Sequence, residues 1–313
     1  MRSLFMEPLV SIVIPTLNSA KTIRKTLESI KLLNYPNVEL IVVDGKSDDG
    51  TLDIVKEYKN VYNLRIVIEE RRGRGVAYNR GVLESKGKYV AFLDSDATIA
   101  TPGWISDAVK VLETDDKVAV VFTKVYSPPD STIMQKAIDT FLCKGYTTAN
   151  GAVYRRDAVL KVGGFNEKMN YLQEDELLHR LKKAGYTFYV NYSDYIYHYH
   201  RNSLRSYIKQ NVEAAKGAKA YKAFTSEKWI VKDSMTRLLT LLISVALSVI
   251  LIVTGKILLF LALILLFYVM LYIKVNLETC KQYKWSKYTL LAPFLIYMSL
   301  IGFFIGYVSP QKS

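Results

Sequence analysis

Cysteine is nearly absent from this 313-residue chain, which carries only Cys143 and Cys280, far apart. The first lies in a soluble-looking segment and the second in a Lys-rich loop, which argues against a disulfide framework or a zinc site. Eight prolines and 16 glycines are too few for a collagenous or low-complexity chain, and 50% hydrophobic residues are too many for a disordered one. The opening residues Met1 to Glu7 lack the apolar core that a cleavable secretory signal needs, so the N-terminal region is expected to stay in the cytosol.

Acidic residues are also in short supply, 29 Asp+Glu against 42 Lys+Arg, for a formal charge of +13. A charge of this size suits nucleic acid or an anionic membrane surface. Its distribution separates the two. From Leu238 onward the chain holds six lysines and one glutamate, leaving +5 there and +8 in the first 237 residues. The basic excess therefore coexists with the most apolar stretch, which points to membrane lipids rather than nucleic acid.

The first third alternates short β-rich runs at residues 9–14, 38–43, 64–68 and 88–93 with helical patterns at 20–33, 51–58 and 76–85. This alternation predicts an α/β fold, a mostly parallel sheet flanked by helices. Ligands of such sheets bind at the carboxyl ends of the strands. Here those ends read Pro15-Thr16-Leu17-Asn18, Asp44 to Gly50, and Asp94-Ser95-Asp96. Farther along, a strand at 118–123, helices at 133–142, 158–162 and 174–184, and two short strands at 187–190 and 194–198 are expected.

Residues 203–237 carry eight Lys/Arg against three acids, with aromatic and aliphatic residues interspersed. The pattern predicts one or two basic amphipathic helices at a membrane interface, a solvated basic face being the alternative. Three uncharged runs follow, at 238–254, 257–273 and 288–308. About 20 apolar residues cross a bilayer, so three spans are predicted, with a re-entrant hairpin as the alternative for the first two. Lys228, Lys232 and Arg237, then Lys274, Lys281, Lys284 and Lys287, outnumber Lys256 and Lys312 on the other side. That asymmetry puts the N-terminal domain in the cytosol. The expected organisation is an α/β domain at 1–202, interfacial helices at 203–237 and an integral membrane domain at 238–313.

Asp94 and Asp96 follow an apolar run, and two carboxylates so spaced at a strand end can share a hard divalent cation that neutralises a diphosphate. An Asp-rich turn is the other reading. Asp44 opens a turn in which it can accept hydrogen bonds from a nucleobase, or in which Asp49 or Thr51 serves as a helix cap.

Ser11-Ile12-Val13-Ile14-Pro15-Thr16-Leu17-Asn18, the segment from Asp44 to Thr51, Asp94-Ser95-Asp96, Val162-Gly163-Gly164-Phe165-Asn166-Glu167 and Gln173-Glu174-Asp175-Glu176-Leu177 resemble, in order and spacing, the signatures of family 2 glycosyltransferases with a GT-A fold. The resemblance covers residues 9–205. It implies an inverting transferase that uses a nucleotide-diphosphate sugar, UDP or GDP, with Mn2+ or Mg2+. By position, Pro15, Thr16, Asn18 and Asp44 would hold the nucleoside, and Asp94 and Asp96 the metal and donor. His200 would be a third ligand, Arg74 and Arg201 would lie near the phosphates, and Asn150 and Gly151 would line the acceptor side. Asp175 would be the general base beside Glu174, whose like charge raises its proton affinity.

Three positions depart from the family pattern. Asp44-Gly45 stands for an acidic pair, Leu17 for an aromatic, and Tyr78 for the Arg of an Ala-Arg-Asn-x-Gly segment. Arg74 or Arg80 can take over a phosphate contact.

The leading expectation is transfer to a lipid-linked saccharide or glycolipid hydroxyl at the cytosolic face, since tying the cleft to the bilayer concentrates it near such an acceptor. A polyprenyl-phosphate sugar synthase ranks below it, because a phosphate acceptor is already ionised and needs no base. A processive polysaccharide synthase would carry a Gln-x-x-Arg-Trp segment after Asp175, and none is present. A non-catalytic membrane scaffold would have no use for Asp94, Asp96 and Asp175 together.

Overall fold

The computed structural model describes residues 7–143, 148–225 and 228–309. Residues 1–6, part of the stretch read for a signal, and 226–227 of the basic segment lie outside the described residues.

Along the chain run β1 (Val10–Thr16), α1 (Ile23–Ser29), β2 (Val38–Asp44), α2 (Thr51–Glu57), β3 (Leu64–Ile68), α3 (Arg74–Glu84) and β4 (Tyr89–Phe92). Then come β5 (Ala97–Ile99), α4 (Trp104–Thr114), β6 (Val118–Tyr126), α5 (Ile133–Leu142), β7 (Val153–Arg155), α6 (Arg156–Lys161), α7 (Gln173–Lys183) and β8 (Thr187–His198). Four helices close the chain: α8 (Leu204–Thr225), α9 (Lys228–Val253), α10 (Ile257–Glu278) and α11 (Lys287–Val308).

The eight strands form one sheet in the order β3-β2-β1-β4-β7-β6-β8-β5. The β3-β2-β1-β4 half is parallel, as the alternating pattern predicts, while β7 runs antiparallel to both β4 and β6, and β5 antiparallel to β8. Alternate residues of one strand serve two cores: Ile12 and Ile14 pack with Leu27, Leu40 and Trp104, and Val13 packs with Ile41, Tyr78 and Phe92. A sheet covered on both faces reads as a continuous apolar run, which is why β1 shows no polar alternation. Helix α3 lies so close to β1 that a Cβ on Gly81 would stand 2.3 Å from Val13 Cγ1.

The stretch Asn191-Tyr192-Ser193, which reads as a break between two strands, is an irregularity inside one strand. The register of β6 with β8 shifts there, and Asn191 Nδ2 donates to Asp194 Oδ2 at 2.8 Å.

The chain divides into two compact units, Met1–Tyr126 with Tyr146–His198, and Ser127–Gly145 with Tyr199–Ser313. In the second unit α5 joins the C-terminal helices: Ala137 and Ile138 pack with Tyr207 and Leu295. The basic segment forms α8, which lies against α11 where Gly302 and Gly306 permit it; a Cβ on Gly306 would come within 2.1 Å of the Val212 carbonyl oxygen. Small residues four apart let helix backbones approach in this way.

The two cysteines correct the expectation of no disulfide. Cys143, at the end of α5, forms a disulfide with Cys280, just after α10, across a Cα–Cα distance of 6.1 Å. Their 137-residue separation carried no information about distance, because α5 packs with the C-terminal helices.

Among the described residues two helices, α10 and α11, are long and apolar enough to cross a membrane, and Leu242–Val253 of α9 is a shorter apolar stretch. Side chains such as Leu258, Leu261, Leu265 and Leu266 leave α10 uncovered, whereas α11 is partly covered by its neighbours.

Candidate active site

At the carboxyl end of β1 and β2, Thr16 stands opposite Asp44. The Asp44 carboxylate is fully buried and accepts three hydrogen bonds, from Thr16 Oγ1 at 2.8 Å, Ser47 Oγ at 2.6 Å and the Ser47 N–H at 2.8 Å. Asn18, left-handed at φ 52°, closes the same turn. Its N–H donates to Ser47 Oγ at 2.9 Å and its Oδ1 accepts from the Asp48 N–H at 3.1 Å. Pro15 sits in β1 beyond the last residue paired to β4, where its missing N–H interrupts no ladder bond on that side. These four residues therefore come together as a loop floor, with Asp44 spent largely on internal bonds.

Beyond β4 the chain turns through Asp94-Ser95-Asp96 into β5. The Asn150 side chain, 4% exposed, accepts the Asp94 N–H at 2.9 Å. Gly151 follows at φ 85°, its N–H on the Phe92 carbonyl and its own carbonyl taking the Trp104 indole N–H at 2.7 Å. Asn150 and Gly151 thus brace the acidic turn. Tyr78, in place of the family's arginine, directs its hydroxyl to Asp94 Oδ1 at 3.4 Å.

Asp94, Asp96 and His198 offer ligand atoms that all lie within 4.8 Å of one another. Two carboxylates and an imidazole suit Mn2+ or Mg2+ chemistry better than thiolate-seeking metals. His198 Nε2 is 3.2 Å from Asp96 Oδ1. Burial lowers the imidazole's proton affinity, but the Asp96 hydrogen bond and the Asp96 and Asp94 charges outweigh it and raise the pKa.

The histidine in this group is His198 and not His200. β8 ends at His198, held opposite Ala97. Past the strand end the two-residue alternation no longer applies, and His200 turns its Nε2 to the buried Asp139, at 2.9 Å, in the second unit. Arg201 follows it there, exposed.

Arg74 opens α3 after Gly73 at φ 137°. Its positive charge acts on Glu174, His198 and Tyr78, so it belongs to the site's electrostatics. Arg80 pairs with Glu84 at 2.9 Å. Between them, Asn79 clamps the Gly-Gly-Phe-Asn-Glu loop: its Oδ1 accepts the Phe165 N–H at 2.7 Å and its Nδ2 donates to the Phe165 carbonyl at 2.9 Å.

Glu174 and Asp175 stand in the first turn of α7. Glu174 is buried, with Thr148 Oγ1 at 3.5 Å and the Ala149 N–H at 3.4 Å, and burial raises its pKa. Burial and then the Glu174 charge push Asp175 up to about 7. A carboxyl poised near neutrality is suited to accepting a proton.

Residues 11–166 match glycosyl transferase family 2, and residues 89–305, more than half of the chain, match glycosyl transferase family group 2. The chain belongs to glycosyltransferase family 2. This chain is 27% identical over 251 residues to a dolichyl N-acetyl-alpha-D-glucosaminyl phosphate 3-beta-D-2,3-diacetamido-2,3-dideoxy-beta-D-glucuronosyltransferase of Methanococcus voltae, covering 71% of this chain and 77% of that one. It is 40% identical over 92 residues to a Bacillus subtilis (strain 168) glycosyltransferase named for teichuronic acid biosynthesis, covering 29% of this chain and only 36% of that one. Its fold is similar to that of the mannosyltransferase of Pyrobaculum calidifontis solved with GDP-Man and Mn2+, with a TM-score of 0.62, 20% identity, and coverage of 97% of this chain and 88% of that one. The mixed sheet flanked by helices is thus a GT-A-like fold.

Proposed function

We propose that this transferase is a membrane-anchored, inverting enzyme that moves a sugar from a nucleotide-diphosphate sugar to a hydroxyl of a lipid-linked saccharide or glycolipid at the cytosolic face. The observation that carries the reading is the pairing of Asp175, near neutrality, with an Asp94-Asp96-His198 group whose Asp94 charge reaches Glu174.

In a single displacement the acceptor oxygen bonds to the anomeric carbon as the bond to the diphosphate breaks, and the acceptor proton passes to Asp175. Mn2+ or Mg2+, held by Asp94, Asp96 and His198, would supply positive charge to the departing diphosphate. Arg74 adds a fixed charge beside it. The loop of Pro15, Thr16, Asn18 and Asp44 receives the nucleoside, and Asn150 and Gly151 hold the acidic turn in place. A phosphate acceptor would need no base, so Asp175 favours a sugar hydroxyl.

The methanococcal relative's name specifies a dolichyl-linked saccharide acceptor, and the Pyrobaculum neighbour is described with GDP-Man and Mn2+. Both support the reading of donor and acceptor class. The uncovered apolar surface of α10, together with α11, supports membrane anchoring. The Lys/Arg excess at the start of α9, and from the end of α10 to the start of α11, supports a cytosolic catalytic unit.

Thermal unfolding of the purified protein with UDP- and GDP-sugars tests the donor half of this reading. Stabilisation by one nucleotide class that needs Mn2+ is expected, since a ligand of the native state raises its stability. No shift with any nucleotide sugar would reject it.

A further inference from the structure

Tyr154 is the middle residue of β7, flanked by Val90 of β4 and Val120 of β6. It is 1% exposed, and its ring packs edge-on against Phe92, Phe122 and Phe165. A phenylalanine would fill the same space. The hydroxyl is nevertheless present, buried, and without a hydrogen-bond partner among the described residues. Burying an unpaired donor is costly, so the group calls for an explanation.

The surroundings supply one. The charges of Glu174 and Asp175 both act on the Tyr154 phenol. Gln173, the residue before Glu174, is itself fully buried with both amide atoms unpartnered. Unpaired polar atoms thus belong to the carboxylate pair's chain neighbour and to the tyrosine in its field.

We propose that Tyr154 is a positioning residue, its hydroxyl a donor reserved for the Glu174-Asp175 carboxylates and engaged once the acceptor is bound. The proposal rests on Asp175 being the base. Burial, then Glu174 and Asp175, hold the phenol's pKa well above its usual range, so it keeps its proton and acts only as a donor. The acceptor's proton still goes to Asp175. Hydrogen bonds around a base are often long without substrate and tighten in the Michaelis complex. A bond to the ionised carboxylate favours that form and so lowers its proton affinity. The other charged groups acting on the pair are Lys182 on Asp175, and Arg74 and Asp94 on Glu174.

The test is Tyr154→Phe in the full-length protein, followed by the pH profile of transfer and by thermal unfolding. The expected result is an unchanged or higher melting temperature, kcat lower by about ten-fold, and a rising pH limb moved up by about one pH unit. A wild-type kcat with an unmoved limb would overturn the proposal. Site-specific 3,5-difluorotyrosine at position 154 keeps the shape and strengthens the donor, so the limb should move down; an unmoved limb there also counts against it. Asp175→Asn separates the two claims. If it keeps full transfer, the base reading fails; if it is inactive while Tyr154→Phe behaves as wild type, only the role of Tyr154 fails.

Discussion

Ala97 and His198 face each other across the antiparallel pairing of β5 with β8, and this register brings the His198 imidazole to 3.2 Å from the Asp96 carboxylate. A three-residue strand therefore decides which of two alternate histidines joins the acidic turn.

His198→Ala should weaken Mn2+ binding at least as much as the about 10–100-fold that removing an outer partner costs a metal site. His200→Ala should leave it nearly unchanged. Titration of Mn2+ followed by electron paramagnetic resonance distinguishes the two; equal losses would contradict the assignment of His198.

Asn150→Ala removes the acceptor of the Asp94 N–H in a buried position. The orphaned donor should cost about 1–3 kcal/mol of stability, measured by denaturant unfolding, and Mn2+ affinity should fall as the turn loosens.

Gly81→Ala should destabilise the first unit by about 1–3 kcal/mol, because the new methyl overlaps Val13 and α3 must move off β1. Val13→Ala in the same chain opens that space. Partial recovery of the melting temperature in the double variant, relative to the sum of the singles, checks the contact.

Asp175 makes the sign of a pH effect explicit. Its folded pKa of about 7 lies above its ordinary value of about 3.9, so between those limits the native state binds the extra proton and stability falls as pH rises. Asp175→Asn removes that penalty. The melting temperature of the variant should exceed that of the wild type by more at pH 8 than at pH 5. The wild-type activity should climb through pH 7 as the base ionises.

Periodicity made most of this fold legible. The limits of β3 and α5 coincide with the predicted ones, because continuous apolar runs and helical spacing are local signals. The acidic turn and the Glu174-Asp175 helix start were equally visible. What stayed hidden depended on tertiary context. Residues 191–193 read as a break between two strands, yet Asn191 bonds to Asp194 across them and β8 continues with an irregularity there. His198 and His200 are equivalent until the strand end is known. The bonds that Asp44 accepts from Thr16 and Ser47 leave no trace in the sequence, since Thr16 reaches it from a neighbouring strand. Tyr154 carries no signal of its own, since a tyrosine in an apolar run reads as core.

The most direct test of the central claim is a transfer assay of wild type and Asp175→Asn with labelled nucleotide sugars, Mn2+ and lipid-linked saccharides, the product's anomeric configuration being read by NMR. The account predicts a product inverted relative to the donor and a loss of about 10²–10⁴-fold in the variant. Retained configuration, or undiminished transfer by Asp175→Asn, would contradict it.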